Sequence, residues 1–194
     1  DEQPAFPVLL GELHREQIGF CGDEVPRDPF GERLRCGKAN AGVGLVGHID
    51  DESARWRESP NRWSLVEIVA HLADEEREDF RTRTMLTLAS PETTWPPIDP
   101  QGWITSRNYQ EKSLATCLDD FRAERTASLQ QLRSLNDPDW SSTHQHPLGP
   151  TTATFMLANW VAHDLHHIRQ IVGWRYHNLD QATDGLPLVY AGEW

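Results

Sequence analysis

The chain has 194 residues, 38% of them apolar, with eight Trp and six Phe concentrating that surface in a few large rings, so one domain with one core is expected. Eighteen Lys and Arg against 30 Asp and Glu leave a net charge of -12, which argues against a protein that lives on counterion release from phosphates; no nucleic-acid partner is expected. The longest apolar stretch, Phe155 to Ala162, is far short of the ~20 residues a spanning helix needs, which excludes an integral membrane protein.

The opening Asp1-Glu2-Gln3-Pro4 lacks both Met and the basic segment of a signal peptide, and reads as a trimmed start. Cys21, Cys36 and Cys117 are odd in number and form no CxxC pair, which suits a reducing cytoplasm. Residues 1–28 read as an N-terminal extension with a short helix around Val8 to Ile18. Seven of the 13 glycines fall between Gly19 and Gly47, each costing up to ~1 kcal/mol in a helix relative to Ala. Leu34, Ala41, Leu45 and Ile49 nevertheless share one helical stripe, and a first helix is placed at Pro29 to Asp50.

The strongest start signal is Ser64-Leu65-Val66-Glu67, a capping box, with Trp63 and Ile68 at the positions of a hydrophobic staple. Leu65, Ile68, Val69, Leu72, Phe80 and Leu86 carry the second helix to Ser90-Pro91. Leu114, Cys117, Leu118, Phe121, Leu129 and Leu132 define a third helix from about Tyr109 to Asn136. The fourth begins at Thr151 or Thr152 and runs to about His177, leaving residues 178–194 as a tail packed on the bundle. The linker from Pro91 to Asn108, with Pro96, Pro97 and Pro100, is long enough to run the length of a helix, at ~3.3 Å per residue. Such a crossover makes the two helices it joins parallel. The fold class is therefore all-α, a bundle over residues 29–177 with one long crossover between helices 2 and 3.

The chemistry lies in Trp160-Val161-Ala162-His163-Asp164-Leu165-His166-His167-Ile168-Arg169-Gln170. His163 and His167 are four residues apart, so they stand ~6 Å apart along the axis and ~40° around it, and two imidazoles can converge on one ion. Met156, Trp160, Gln170 and Trp174 share their face, while Leu157, Val161, Leu165, Ile168 and Val172 take the opposite one. Buried imidazoles need partners, and a metal satisfies several at once. A third ligand should come from another helix, because three protein ligands and an open position are the usual catalytic zinc arrangement. His71 comes level with the pair if its helix runs antiparallel to the last one, and misses by roughly 8 to 13 Å if parallel.

Glu75, one turn beyond His71, could accept a hydrogen bond from a ligand, complete the site, or pair with Arg125, which interrupts the stripe of the third helix. Gln170 is a further candidate to support a ligand. His166 projects to the side and reads as a rim residue, and His144 and His146, beside a Pro-Gly loop, read as solvated. Trp160 and Trp174 could wall a pocket, and Cys117 reads as a small buried hydrophobe. Two rival motifs fit poorly. His163-Asp164-x-x-His167 mimics the HExxH of metalloproteases, with Asp one methylene short of the required base. The His-Asp dipeptide of HD-type phosphohydrolases needs further spaced Asp ligands, which the helices do not supply.

Trp63-Ser64-Leu65-Val66-Glu67-Ile68-Val69-Ala70-His71-Leu72-Ala73-Asp74-Glu75-Glu76, Trp95-Pro96-Pro97-Ile98-Asp99-Pro100, Phe121 with Arg125, and His163 to Gln170 together resemble the DinB-like (YfiT-like) superfamily. The resemblance covers about Pro29 to His177. It implies an up-down-down-up four-helix bundle, often a homodimer, with a divalent metal held by His71, His163 and His167. Zn²⁺ heads the candidate ions, with Ni²⁺ and Fe²⁺ also suited to imidazole. Relatives that transfer low-molecular-weight thiols imply a metal-dependent thiol S-transferase, with a small thiol as cosubstrate and an electrophile as acceptor. A non-catalytic metal-binding or interaction module is the alternative, and a metal-dependent hydrolase a further one. The family name records induction by DNA damage and implies no DNA binding.

Overall fold

Ser64 starts the central helix as its sequence dictates: its Oγ accepts from Glu67 N–H (3.3 Å) and Glu67 Oε2 accepts from Ser64 N–H (2.8 Å). The computed structural model describes residues 45, 46, 49–184 and 186–194. The chain divides into two units, residues 1–49 and 50–194, and the bundle belongs to the second. The expected extension at 1–28 lies outside the described residues, as does the helix placed at 29–50 apart from Leu45 and Val46, which are helical, and Ile49 and Asp50, which are not.

Helix α1 (Asp51–Arg55) is capped by Asp50 and tied to the far end of the crossover, where Arg55 donates to the carbonyls of Gln110 and Lys112 (both 2.8 Å). Helix α2 (Leu65–Glu75) is buried at every residue, which makes it the central element. A π turn at Glu76–Arg81 leads straight into α3 (Thr82–Ala89). There the Thr82 hydroxyl donates to the Arg77 carbonyl five residues back (2.7 Å). The crossover holds the short α4 (Pro100–Ser106), begun by an Asp99 cap and Pro100 in the first turn. Helix α5 (Leu114–Ser134) is capped by Ser113, and α6 (Ala153–Ala182) by Thr152.

Contacts fix the directions. Gln110 donates to Ser64 Oγ (2.9 Å) at one end, and Arg81 donates to the Glu124 carbonyl (2.9 Å) further on, so α2–α3 and α5 advance together, as a lengthwise crossover requires. His71 meets His163 while Phe80 stacks on Trp160 (5.9 Å between centroids), so α6 runs the opposite way. The all-α bundle and its crossover are thus as the sequence indicates.

Three local readings change. The third helix starts at Leu114, because Asn108 takes a left-handed conformation (φ 49°) and Tyr109–Glu111 forms a separate 3₁₀ turn. The last helix continues to Ala182, since no Pro or Gly interrupts the chain between His177 and Thr183. Thr143–His146 (β1) and Gly149–Thr152 (β2) form an antiparallel hairpin, with Gly149 at φ 120°. His144 is consequently buried: its Nδ1 lies 2.8 Å from the Pro91 carbonyl and its ring stacks on Trp95 (4.2 Å), so the solvated reading does not hold for it. Among the described residues no helix is long and apolar enough to cross a membrane.

Candidate metal centre

Antiparallel packing of α2 against α6 brings together the three histidines the spacing singled out. His163 Nε2 lies 3.3 Å from His71 Nε2 and 3.0 Å from His167 Nε2. Two of the three side chains, His71 and His167, are buried, and His163 is half-buried. Trp63 walls the cluster on one side, edge-on to His71 (4.7 Å) and stacked on His167 (6.3 Å), and Phe80 packs against His163 (4.9 Å).

Burial is the first cause that holds these imidazoles neutral. Desolvation, then the charges of His167 and His166, lowers His71 to about 3; desolvation, then the neighbouring histidines and Arg125, lowers His163 to about 2. His167 falls to about 4, again by desolvation, with its Gln170 hydrogen bond pulling the other way. Gln170 Oε1 lies 2.7 Å from His167 Nδ1 and accepts a hydrogen bond from its N–H, which leaves the Nε2 lone pair facing the cluster.

Three neutral nitrogens crowded together have no proton to share among all of them, and His71 Nδ1 is buried without a partner. Two of the three separations, 3.3 and 3.0 Å, are close to the about 3.3 Å between nitrogens bound tetrahedrally to Zn²⁺ at about 2.0–2.1 Å, and all three atoms lie within 4.8 Å of one another. The donor set is one that Zn²⁺, Ni²⁺ and Fe²⁺ all accept. The cluster can therefore coordinate a divalent metal, and among the described residues it comprises these three side chains, with no carboxylate or thiol joining them.

Glu75 stays outside it. Burial first, then Asp79, pushes its carboxyl up to about 8, and it lies with Asp79 on a stripe that ends at Arg83, which pairs with Asp79 (2.8 Å). Arg125 does not pair with Glu75. It holds Glu76 Oε2 (2.7 Å) and grips both oxygens of Asp164 (2.9 and 3.0 Å), all three side chains being buried. Trp160 also serves this network, donating to Glu76 (2.8 Å). Trp174 does line a cavity, one that Trp63 and Gln170 share, and His166 is exposed, its ring 5.2 Å from that of His167.

Sequence reasoning missed Trp63 and Phe80 as walls of the cluster. Trp63 was visible only as a staple residue, and its place immediately before the Ser64 cap, two turns from His71, was the available signal.

A family profile, that of the DinB superfamily, matches residues 42–171. The chain belongs to the DinB superfamily. A search among curated proteins finds no match. Among solved structures, YfiT from Bacillus subtilis superposes with a TM-score of 0.60 and 22% identity, over 68% of this chain and 76% of YfiT. That protein is described as "a probable metal-dependent hydrolase with an unusual four-helix bundle topology". The likeness establishes that this DinB-superfamily chain has the same fold.

Proposed function

We propose that His71, His163 and His167 hold a divalent cation, Zn²⁺ foremost, and that the protein is a metal-dependent hydrolase. The observation that carries this reading is the convergence of three neutral Nε2 atoms with no fourth protein ligand among the described residues. A cation held by three protein donors keeps an open position and supplies Lewis acidity to a nucleophile there. Gln170 fixes the tautomer and orientation of His167. Trp63 and Phe80 keep water from the flanks of the imidazoles, and so sustain the low basicity that makes them ligands at neutral pH.

A second reading is thiol S-transfer from a low-molecular-weight thiol to an electrophile. It is favoured by the all-imidazole donor set, which leaves the cation its full charge and so stabilises a thiolate. One experiment separates the readings. Protein purified without an affinity metal column is assayed for metal, then screened against activated esters and amides, and against small thiols paired with an electrophile. Metal-dependent ester or amide turnover supports the hydrolase, and turnover confined to the thiol arm supports transfer. A metal-replete protein inert in both is a binding module. The homodimer expected of the family is checked by sedimentation velocity on the same material.

A further inference from the structure

Trp63 and Gln170, which contact the histidine cluster, also line a cavity of about 330 Å³ between the α1–α2 loop and α6. None of the three histidines lines it. Its walls join two kinds of surface. Trp63, Trp174 and Ile68 are apolar, and Arg62 and Arg169 bring two cations into a protein whose net charge is -12. One carboxylate, Glu58, also lines it, and is shared between Arg62 (3.9 Å) and His177 (3.6 Å). Arg169 has no ion-pair or hydrogen-bond partner among the described residues. Gln170 accepts from His167 through Oε1, so its amide N–H groups remain as donors.

We propose that this cavity binds a small organic anion with a planar apolar body, its carboxylate or phosphate held by Arg169 and Arg62 and its body against the two indoles. A guanidinium reads such an anion through a planar fork of donors, and tryptophan faces supply apolar area with little loss of conformational freedom. A volume of this size accommodates a bicyclic acid and is at the small end of ligand sites. The site stands apart from the cation proposed for the three histidines, and binding there needs no metal. Its occupant would lie one side chain from the cluster, against the same Gln170 that orients His167.

Gly173 offers a clean way to close the site. It lines the cavity from within α6, and a Cβ added there meets nothing within 4 Å, so a side chain at this position starts out into open space beside the cavity. Leucine is also the better helix former. The 194-residue chain, both as purified and after chelation, is titrated calorimetrically with 1-naphthoate, with neutral 1-naphthalenemethanol and inorganic phosphate as controls. The expected result is one site per chain, at least about tenfold tighter for naphthoate than for either control, and unchanged by chelation. Arg169→Gln weakens it about tenfold, and Gly173→Leu removes it while circular dichroism and metal content stay as in the parent. Equal affinity for the alcohol or for phosphate, or full binding by Gly173→Leu, would overturn the proposal. Loss of metal binding with naphthoate binding intact would overturn only the metal reading.

Discussion

Arg125 is the perturbation with the most direct physical consequence. Its side chain is 1% exposed and faces two carboxylates, Glu76 and Asp164, whose side chains are 1% and 4% exposed. Arg125→Met keeps the volume and removes the cation, leaving buried negative charge without compensation, which costs about 3–5 kcal/mol. Against a domain stability of about 5–15 kcal/mol this is severe, and it lowers the midpoint of thermal unfolding by about 10 °C. The deficit depends on pH with a definite sign. Burial raises the Asp164 carboxyl to about 7 even though Arg125 opposes the rise, and without Arg125 it climbs further. A folded acid that keeps its proton where the unfolded chain has lost it gains stability as pH falls toward the unfolded value. The variant therefore recovers as pH drops from 9 toward 7, and below about 7 both proteins hold the proton and the difference stops changing. Urea unfolding of parent and variant at pH 9 and 6.5 measures this, and adding Asp164→Asn should restore part of the loss at the higher pH. A deficit under about 1 kcal/mol, or one that grows toward pH 6.5, would refute the reasoning.

His71→Ala, His163→Ala and His167→Ala are each expected to abolish stoichiometric metal binding, whereas exposed His166→Ala retains it; metal analysis of the four folded variants decides, and a metal-free His166→Ala beside a metal-replete His167→Ala would reverse the assignment. Gln170→Leu removes the acceptor on His167 Nδ1 and should weaken metal affinity about 10- to 100-fold in a chelator competition, with no change in the number of sites. The folded values of the three histidines lie below the ordinary 6.5, so the chelated protein loses stability as pH falls through 6.5, where the unfolded chain takes up protons that the native state refuses. His71→Phe removes one such group, and its stability should fall about 2 kcal/mol less between pH 7 and 5 than the parent's, by urea titration at the two values.

What the sequence disclosed about the site follows from regular geometry. His163 and His167 were legible because α6 is an uninterrupted helix, in which residues four apart must share a face. His71 was legible because Ser64 and Glu67 mark where its helix begins, so its height could be counted from that end and matched against a partner running the other way. The parallel course of α2–α3 and α5 follows from the length of the crossover alone, independently of the short helix inside it. Where the chain departs from regular geometry, counting failed. His144 sits on a four-residue strand too short to carry a pattern, and its burial depends on Trp95 and on the Pro91 carbonyl, contacts 49 and 53 residues away.

The π turn at Glu76–Arg81 is the clearest case. Nine residues separate His71 from Phe80, and in a regular helix that count, at 100° per residue, puts them about 180° apart. Both nevertheless pack against His163. A turn that spreads over more residues advances each by less than 100°, and so carries Phe80 back toward the histidine side. The same turn begins at Glu76, immediately after Glu75, and these two consecutive acids are buried on different partners: Glu75 with Asp79 and Glu76 with Arg125 and Trp160. The backbone cost of the wide turn is offset in part where Thr82 takes up the Arg77 carbonyl. No periodicity marks such a turn in advance, because its cause lies in what α5 and α6 offer to buried side chains. Its effect is to bring an aromatic wall to His163, and functional sites are where irregular helical turns of this kind are most often retained.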